Sequence, residues 1–262
     1  MESALRPRGL NAFTLKIIAL VSMTLDHLYF YLYRVLPLPF GLRIAGRLAM
    51  PIFLFLLCWS FDYTRSRPRL LLRLYLWSAG MELCTALVNH LVPDPPGFPV
   101  ENHIFMTMFS IALSLYLLSR AGEAAGEGKR EQALLWMGAL TAIFLLPYLL
   151  PASLPALLQA AVRAALPLPS FAEGGPFLVL FGIGLYYVKD RPLMLGIYYC
   201  LYSVLSIWLH APMQVYMIFA LPLLLSYNRQ RGPKCQQLFY LYYPLHAYLL
   251  FALGVLLSRR MG

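Results

Sequence analysis

Charged side chains are scarce in this chain: 12% of 262 residues, against 60% that are hydrophobic. An ordinary soluble domain has about twice that charged share. So few polar groups cannot cover a water-facing surface, which excludes a soluble globular fold. The same shortage excludes disorder, and 20 prolines without a fixed period exclude a collagen-like or coiled-coil rod. Cysteine is also sparse. Cys58, Cys84, Cys200 and Cys235 lie far apart, with no Cys-x-x-Cys and no Cys/His ligand spacing. A disulfide framework and a zinc site are therefore not expected, and no metal is called for. Also missing are a Gly-x-Ser-x-Gly elbow, a Walker sequence, a His-Glu-x-x-His helix and a dinucleotide fingerprint. Gly182-x-Gly184 reads as a small-residue helix contact.

What remains is apolar sequence in long stretches. About 20 apolar residues cross a bilayer as a helix, and the stretches do not alternate as barrel strands would. The expected fold is all-α: a polytopic integral membrane bundle forming one domain over 1–262. It has about nine transmembrane helices near 14–34, 44–62, 70–92, 103–119, 133–150, 172–188, 193–209, 211–227 and 237–257. The segment 154–166 is apolar but short, carries Arg163 and lies between Pro155 and Pro167. It reads as a re-entrant or interfacial helix. Residues 120–132 read as a polar cytoplasmic loop.

The net charge of +10 sits mainly in short loops, where it sets topology and attracts anionic lipid rather than nucleic acid. With nine spans and the N-terminus inside, 15 of the 21 Lys and Arg fall on the inner side. The expectation is a cytoplasmic-membrane protein with its N-terminus in the cytoplasm.

Ionisable groups within spans are costly and usually functional. The first span carries Asp26-His27, the second Arg43 and Arg47, and the third Glu82. The fourth opens on Asn102-His103, and the last holds Tyr243 and His246, three apart on one face. A rise of 1.5 Å per residue puts His27 and Glu82 about 18–20 Å past the inner start of their spans, so these groups could share one layer. An imidazole with a carboxylate can take a proton from a hydroxyl or amine near neutral pH. Neighbouring helix positions are about 100° apart, however. Either Asp26 bends round to His27, or it faces an arginine and another residue orients the ring. Guanidinium groups suit an anionic ligand or a developing oxyanion.

The stretches LKIIALVSMTLDHLYFYL and LRIAGRLAMPIFLFLLCWSFDYTRSRPRLLLRL, with ENHIF, Gln214 and the closing YNRQRGPKCQQLFYLYYPLHAYLL, resemble the TraX family. These are membrane proteins named after the F-pilin acetylase and distantly like the acyltransferase-3 enzymes. Asp-His, Arg-x-x-Gly-Arg and Tyr-Pro-x-His occur in that order. The chain departs at Asn228-Arg229, where the family usually has Asn-Gly, and at AEGGP over 172–176. The resemblance implies an acyl-CoA-dependent O- or N-acetyltransferase, with acetyl-CoA as donor. The acceptor would be an extracytoplasmic amine or hydroxyl on a pilin, glycan or lipid headgroup. His27 would be the general base and Asp26 its partner or an anchor. Arg43 and Arg47 would bind donor and acceptor oxygens, and Glu82, Asn102, Tyr243 and His246 would complete the pocket. Two readings of other classes compete: a proton-coupled small-molecule transporter and a non-catalytic envelope scaffold.

Overall fold

The computed structural model describes residues 9–92, 99–100, 104–149, 154–234 and 236–261, with backbone alone at 236–238 and 261. In chain order its helices are α1 (Ala12–Leu32), α2 (Gly41–Gly46), α3 (Ala49–Tyr63), α4 (Arg67–Leu91), α5 (Ile104–Gly126) and α6 (Arg130–Leu145). They continue with α7 (Ala156–Ala165), α8 (Gly175–Val188), α9 (Pro192–Trp208), α10 (Leu221–Leu225) and α11 (Gln236–Met261). Among the described residues the structure is helical, and one isolated bridge, Leu10 to Tyr227, is all the β pairing.

Six helices are long and apolar enough to cross a membrane: Ala12–Leu32, Gly41–Tyr63, Arg67–Leu91, Ile104–Gly126, Arg130–Leu149 and Phe239–Arg260. These make the chain a multi-pass membrane protein by length and composition. The expected count of nine is not reproduced. Three of the expected spans are shorter apolar helices, at Gly175–Val188, Pro192–Trp208 and Pro212–Leu225. The last of these is a tight 3-10 coil over Pro212–Ala220 followed by α10. A 3-10 coil rises about 2 Å per residue, so this segment and α9 each extend about 25 Å. The segment 154–166 holds only the ten-residue α7.

The expected loop at 120–132 is corrected. Helix α5 runs on to Gly126, and α6 begins at Arg130. Ala121, Glu123, Ala124 and Ala125 are strong helix formers, and Arg120 pairs with Glu123 one turn on at 2.7 Å. Propensity overrides polarity there.

The chain forms two compact units. One comprises residues up to Leu56 and from Val188 onward; the other is built mainly of Leu57–Asp94 and Pro99–Tyr187. In the second unit α4 shows an inside-out pattern. Leu72, Leu76, Leu83, Leu87 and Leu91 form its exposed face, while Ser78, Glu82 and Thr85 are buried. Lipid-facing leucine with polar groups turned inward is the pattern a bilayer selects.

In the first unit α1 and α11 lie side by side. Phe13 meets Phe239, Thr24 meets Tyr242, His27 meets His246 and Tyr31 meets Phe251. The numbers rise together, so the two helices run parallel. Gly254 permits the approach, because a Cβ there would fall 2.8 Å from the Tyr31 carbonyl oxygen. The start of α1 is tied to the 226–232 loop: Leu10 N–H donates to Ser226 O at 2.8 Å and Ala12 N–H to Gln230 O at 2.8 Å.

Arg229 in that loop has φ +60°, the left-handed region that disfavours any residue with a Cβ. This is the position where the TraX resemblance expects glycine. Its ion pair with Asp190, at 3.3 Å, is exposed and contributes little. Arg229→Gly is therefore expected to raise stability by about 0.5–1 kcal/mol. Thermal unfolding in detergent would show it; a lowered midpoint would mean the ion pair outweighs the strain.

Candidate functional site

Asp26 and His27 are adjacent on α1, so their side chains leave the helix in different directions. Asp26 faces α2 and its exit. Its Oδ1 accepts from Arg43 Nη1 at 3.0 Å, and its Oδ2 accepts a short bond from Arg47 Nη2. Of the two arrangements open from the sequence, the structure has the second: the carboxylate serves the arginines, and another residue orients the histidine.

Local chemistry puts both arginines there. Arg43 lies in the six-residue α2, and its guanidinium also sits over the Phe30 ring, 5.3 Å from the centroid. Arg47 lies in the break between α2 and α3. Pro51 explains the break, since it has no N–H for the carbonyl of Arg47 and its ring crowds that carbonyl. Gly46 between them is required, because a Cβ there would fall onto the Asp26 side chain. Gly46→Ala should therefore push α2 off α1 and destabilise the protein by about 1–3 kcal/mol. An unchanged unfolding midpoint would show that the helices separate freely.

The charges do not balance locally. Asp26 answers two guanidinium groups with one carboxylate, and the Arg47 side chain is only 14% exposed. Among the described residues the Nε of Arg47 is buried with no hydrogen-bond partner. A buried guanidinium has five N–H donors, and Asp26 takes one of those on Arg47. Buried donors left unmade are costly, so this arrangement favours an incoming oxygen atom of negative character.

His27 faces α11. Its Nδ1 is 2.7 Å from Nε2 of His246, whose own Nδ1 is 2.8 Å from the carbonyl oxygen of Tyr242. The Nε2 of His27 has no hydrogen-bond partner among the described residues. Tyr31 packs its ring edge against His27 at 5.9 Å, and Tyr243 does the same to His246 at 5.7 Å. His246 and Tyr243 are buried. Thr24 supports the same seam: its hydroxyl donates to Leu20 O at 2.8 Å, so Tyr242 OH donates to Thr24 Oγ1 at 2.7 Å.

The structure thus gathers Asp26, His27, Arg43, Arg47, Tyr243 and His246 in the first unit. Glu82 belongs to the second unit, buried, with Oε1 3.9 Å from Arg163 Nη1 of α7. Arg163 also lies over the Phe171 ring at 5.6 Å. Asn102 lies outside the described residues. Sequence reasoning missed Gly46, Thr24 and Tyr242. Only the four-residue step from Tyr242 to His246 could have pointed to the last of these.

No curated protein and no solved structure matches the chain significantly. The profile of one family, described as TraX protein, matches residues 12–256. That stretch includes every described member of the Asp26–His27, Arg43–Arg47 and Tyr243–His246 set and nearly the whole chain, which belongs to the TraX family.

Proposed function

We propose that this protein is a membrane-bound O- or N-acetyltransferase. It would move an acetyl group from cytoplasmic acetyl-CoA to an amine or hydroxyl on an extracytoplasmic acceptor: a pilin, a glycan or a lipid headgroup. The observation that carries this reading is the presence in the first unit of both an imidazole nitrogen without a hydrogen-bond partner among the described residues, His27 Nε2, and an under-satisfied buried guanidinium, Arg47. Acyl transfer needs both, a base for the nucleophile and positive charge for the oxyanion.

The roles follow from the chemistry. His27 Nε2 takes the proton of the acceptor hydroxyl or amine as its lone pair attacks the thioester carbonyl carbon. Arg47 stabilises the oxyanion that forms, and Arg43 shares the positive field. Collapse breaks the C–S bond, and the CoA thiolate leaves with the proton held on His27. No metal is needed. Asp26 holds both arginines and is a positioning residue. Tyr243 packs its ring edge against His246.

The membrane arrangement fits. Parallel α1 and α11 require an odd number of crossings if both span. The six long helices are an even set, so an odd number of the shorter segments must cross too. The matched 25 Å lengths of α9 and 212–225 suit a hairpin; with α8 crossing as well, nine crossings satisfy the parity with the N-terminus in the cytoplasm.

Purified protein in detergent should consume acetyl-CoA, releasing free thiol, and its melting temperature should rise with CoA, since ligand binding stabilises the folded state. Absence of both effects would overturn the reading. Proteoliposome ion flux independent of acetyl-CoA would favour the transporter instead.

A further inference from the structure

We propose that His246 is the positioning residue that fixes the tautomer of His27, holding its proton on Nδ1 and leaving Nε2 bare. The Tyr242 carbonyl oxygen can only accept, so the 2.8 Å contact places a proton on His246 Nδ1. A neutral imidazole has one ring proton, and His246 Nε2 is therefore a lone pair. That lone pair lies 2.7 Å from His27 Nδ1, which must then be the donor. Nothing is left for His27 Nε2 but its own lone pair.

Ring geometry agrees. The two imidazoles are inclined by only 7°, with centroids 4.8 Å apart. Rings so nearly coplanar cannot lie face to face at that separation while their nitrogens are at 2.7 Å. They meet edge to edge, along the direction in which ring donors and lone pairs point. Doubly protonated His246 would reverse the bond. It would also bury a cation while Asp26 is already taken by the two guanidiniums. The neutral pair is the arrangement that fits.

The usual orienting partner of a catalytic histidine is a carboxylate. Here Asp26 is committed to the arginines, and a second histidine, itself locked by a backbone carbonyl, does that task without adding negative charge. Tyr242 contributes its carbonyl to His246 and its hydroxyl to Thr24 of α1, so the relay and the helix seam are one structure.

The catalytic consequence rests on the acetyltransferase reading; the tautomer does not. The experiment is nitrogen-15 NMR of histidine-labelled protein in bilayers, with His27 and His246 assigned among the chain's five histidines by substitution. Wild type should show His27 protonated at Nδ1 and bare at Nε2, with His246 protonated at Nδ1. Glutamine places an oxygen near the position of His246 Nε2, so His246→Gln should retain the His27 tautomer and most of kcat. Asparagine is too short to offer that acceptor. His246→Asn should lose the tautomer and drop kcat by about 100-fold with KM unchanged, within the range of misplaced acid–base groups. A proton on His27 Nε2 in wild type, or unchanged tautomer and kcat in His246→Asn, would overturn the proposal. The expected tautomers without any acetyl-CoA turnover would support it and overturn the acetyltransferase reading alone.

Discussion

Asp26→Asn is expected to destabilise the protein by about 3–5 kcal/mol, the scale for removing one partner of a buried ion pair. The carboxylate is 12% exposed and accepts hydrogen bonds from both Arg43 and Arg47. Asparagine keeps the shape, removes the charge and turns an N–H₂ toward one guanidinium. Two cations then face each other across a neutral amide in a poorly screened setting. The loss should depend on the arginines. In an Arg47→Met background the same Asp26→Asn change should cost at least about 1 kcal/mol less, as expected for groups in direct contact. Denaturant unfolding of the four proteins in detergent measures the coupling. An Asp26→Asn loss below about 1 kcal/mol would sink the claim that Asp26 holds this region together.

Much of this architecture was legible because a bilayer leaves few choices. Each expected span coincides with a helical segment, since apolar length alone forces helix where backbone groups have no water. The count was less legible. A window of apolar residues cannot tell an α-helix from the 3-10 coil at Pro212–Ala220, and it treats Pro192 and Pro212 as ordinary apolar positions rather than as the helix starts they are. The segment 120–132 reads as a loop because its polarity outweighs its helix-forming alanines and glutamates, although it is helical to Gly126 and again from Arg130.

The site was half legible for a related reason. Depth along a span follows from counting residues, so the sequence alone can place Asp26, His27, Arg43, Arg47 and His246 in one layer. Direction around the helix does not follow from counting, because the neighbours are unknown. Whether Asp26 served His27 or an arginine was undecidable until Gly46 and the Pro51 break brought α2 against α1. Glu82 shows the same limit: its depth was read from the sequence, while its pairing with Arg163 depends on how α7 packs on α4.

His27→Asn separates chemistry from structure more cleanly than alanine would. The amide nitrogen of asparagine sits close to the position of the imidazole Nδ1, so it can keep donating to His246 Nε2. Alanine would leave that acceptor buried and unsatisfied, at about 1–3 kcal/mol. Asparagine removes only the ring beyond Nδ1, including the bare Nε2 that is proposed to take the proton. Acetyl-CoA turnover should therefore fall by about 10²–10⁴-fold, the contribution of a placed general base. CoA should still raise the melting temperature, since Arg43, Arg47 and Asp26 are untouched. The unfolding midpoint without ligand should stay close to wild type. Turnover within a few-fold of wild type would remove His27 from the reaction and leave the histidine pair as a helix contact alone.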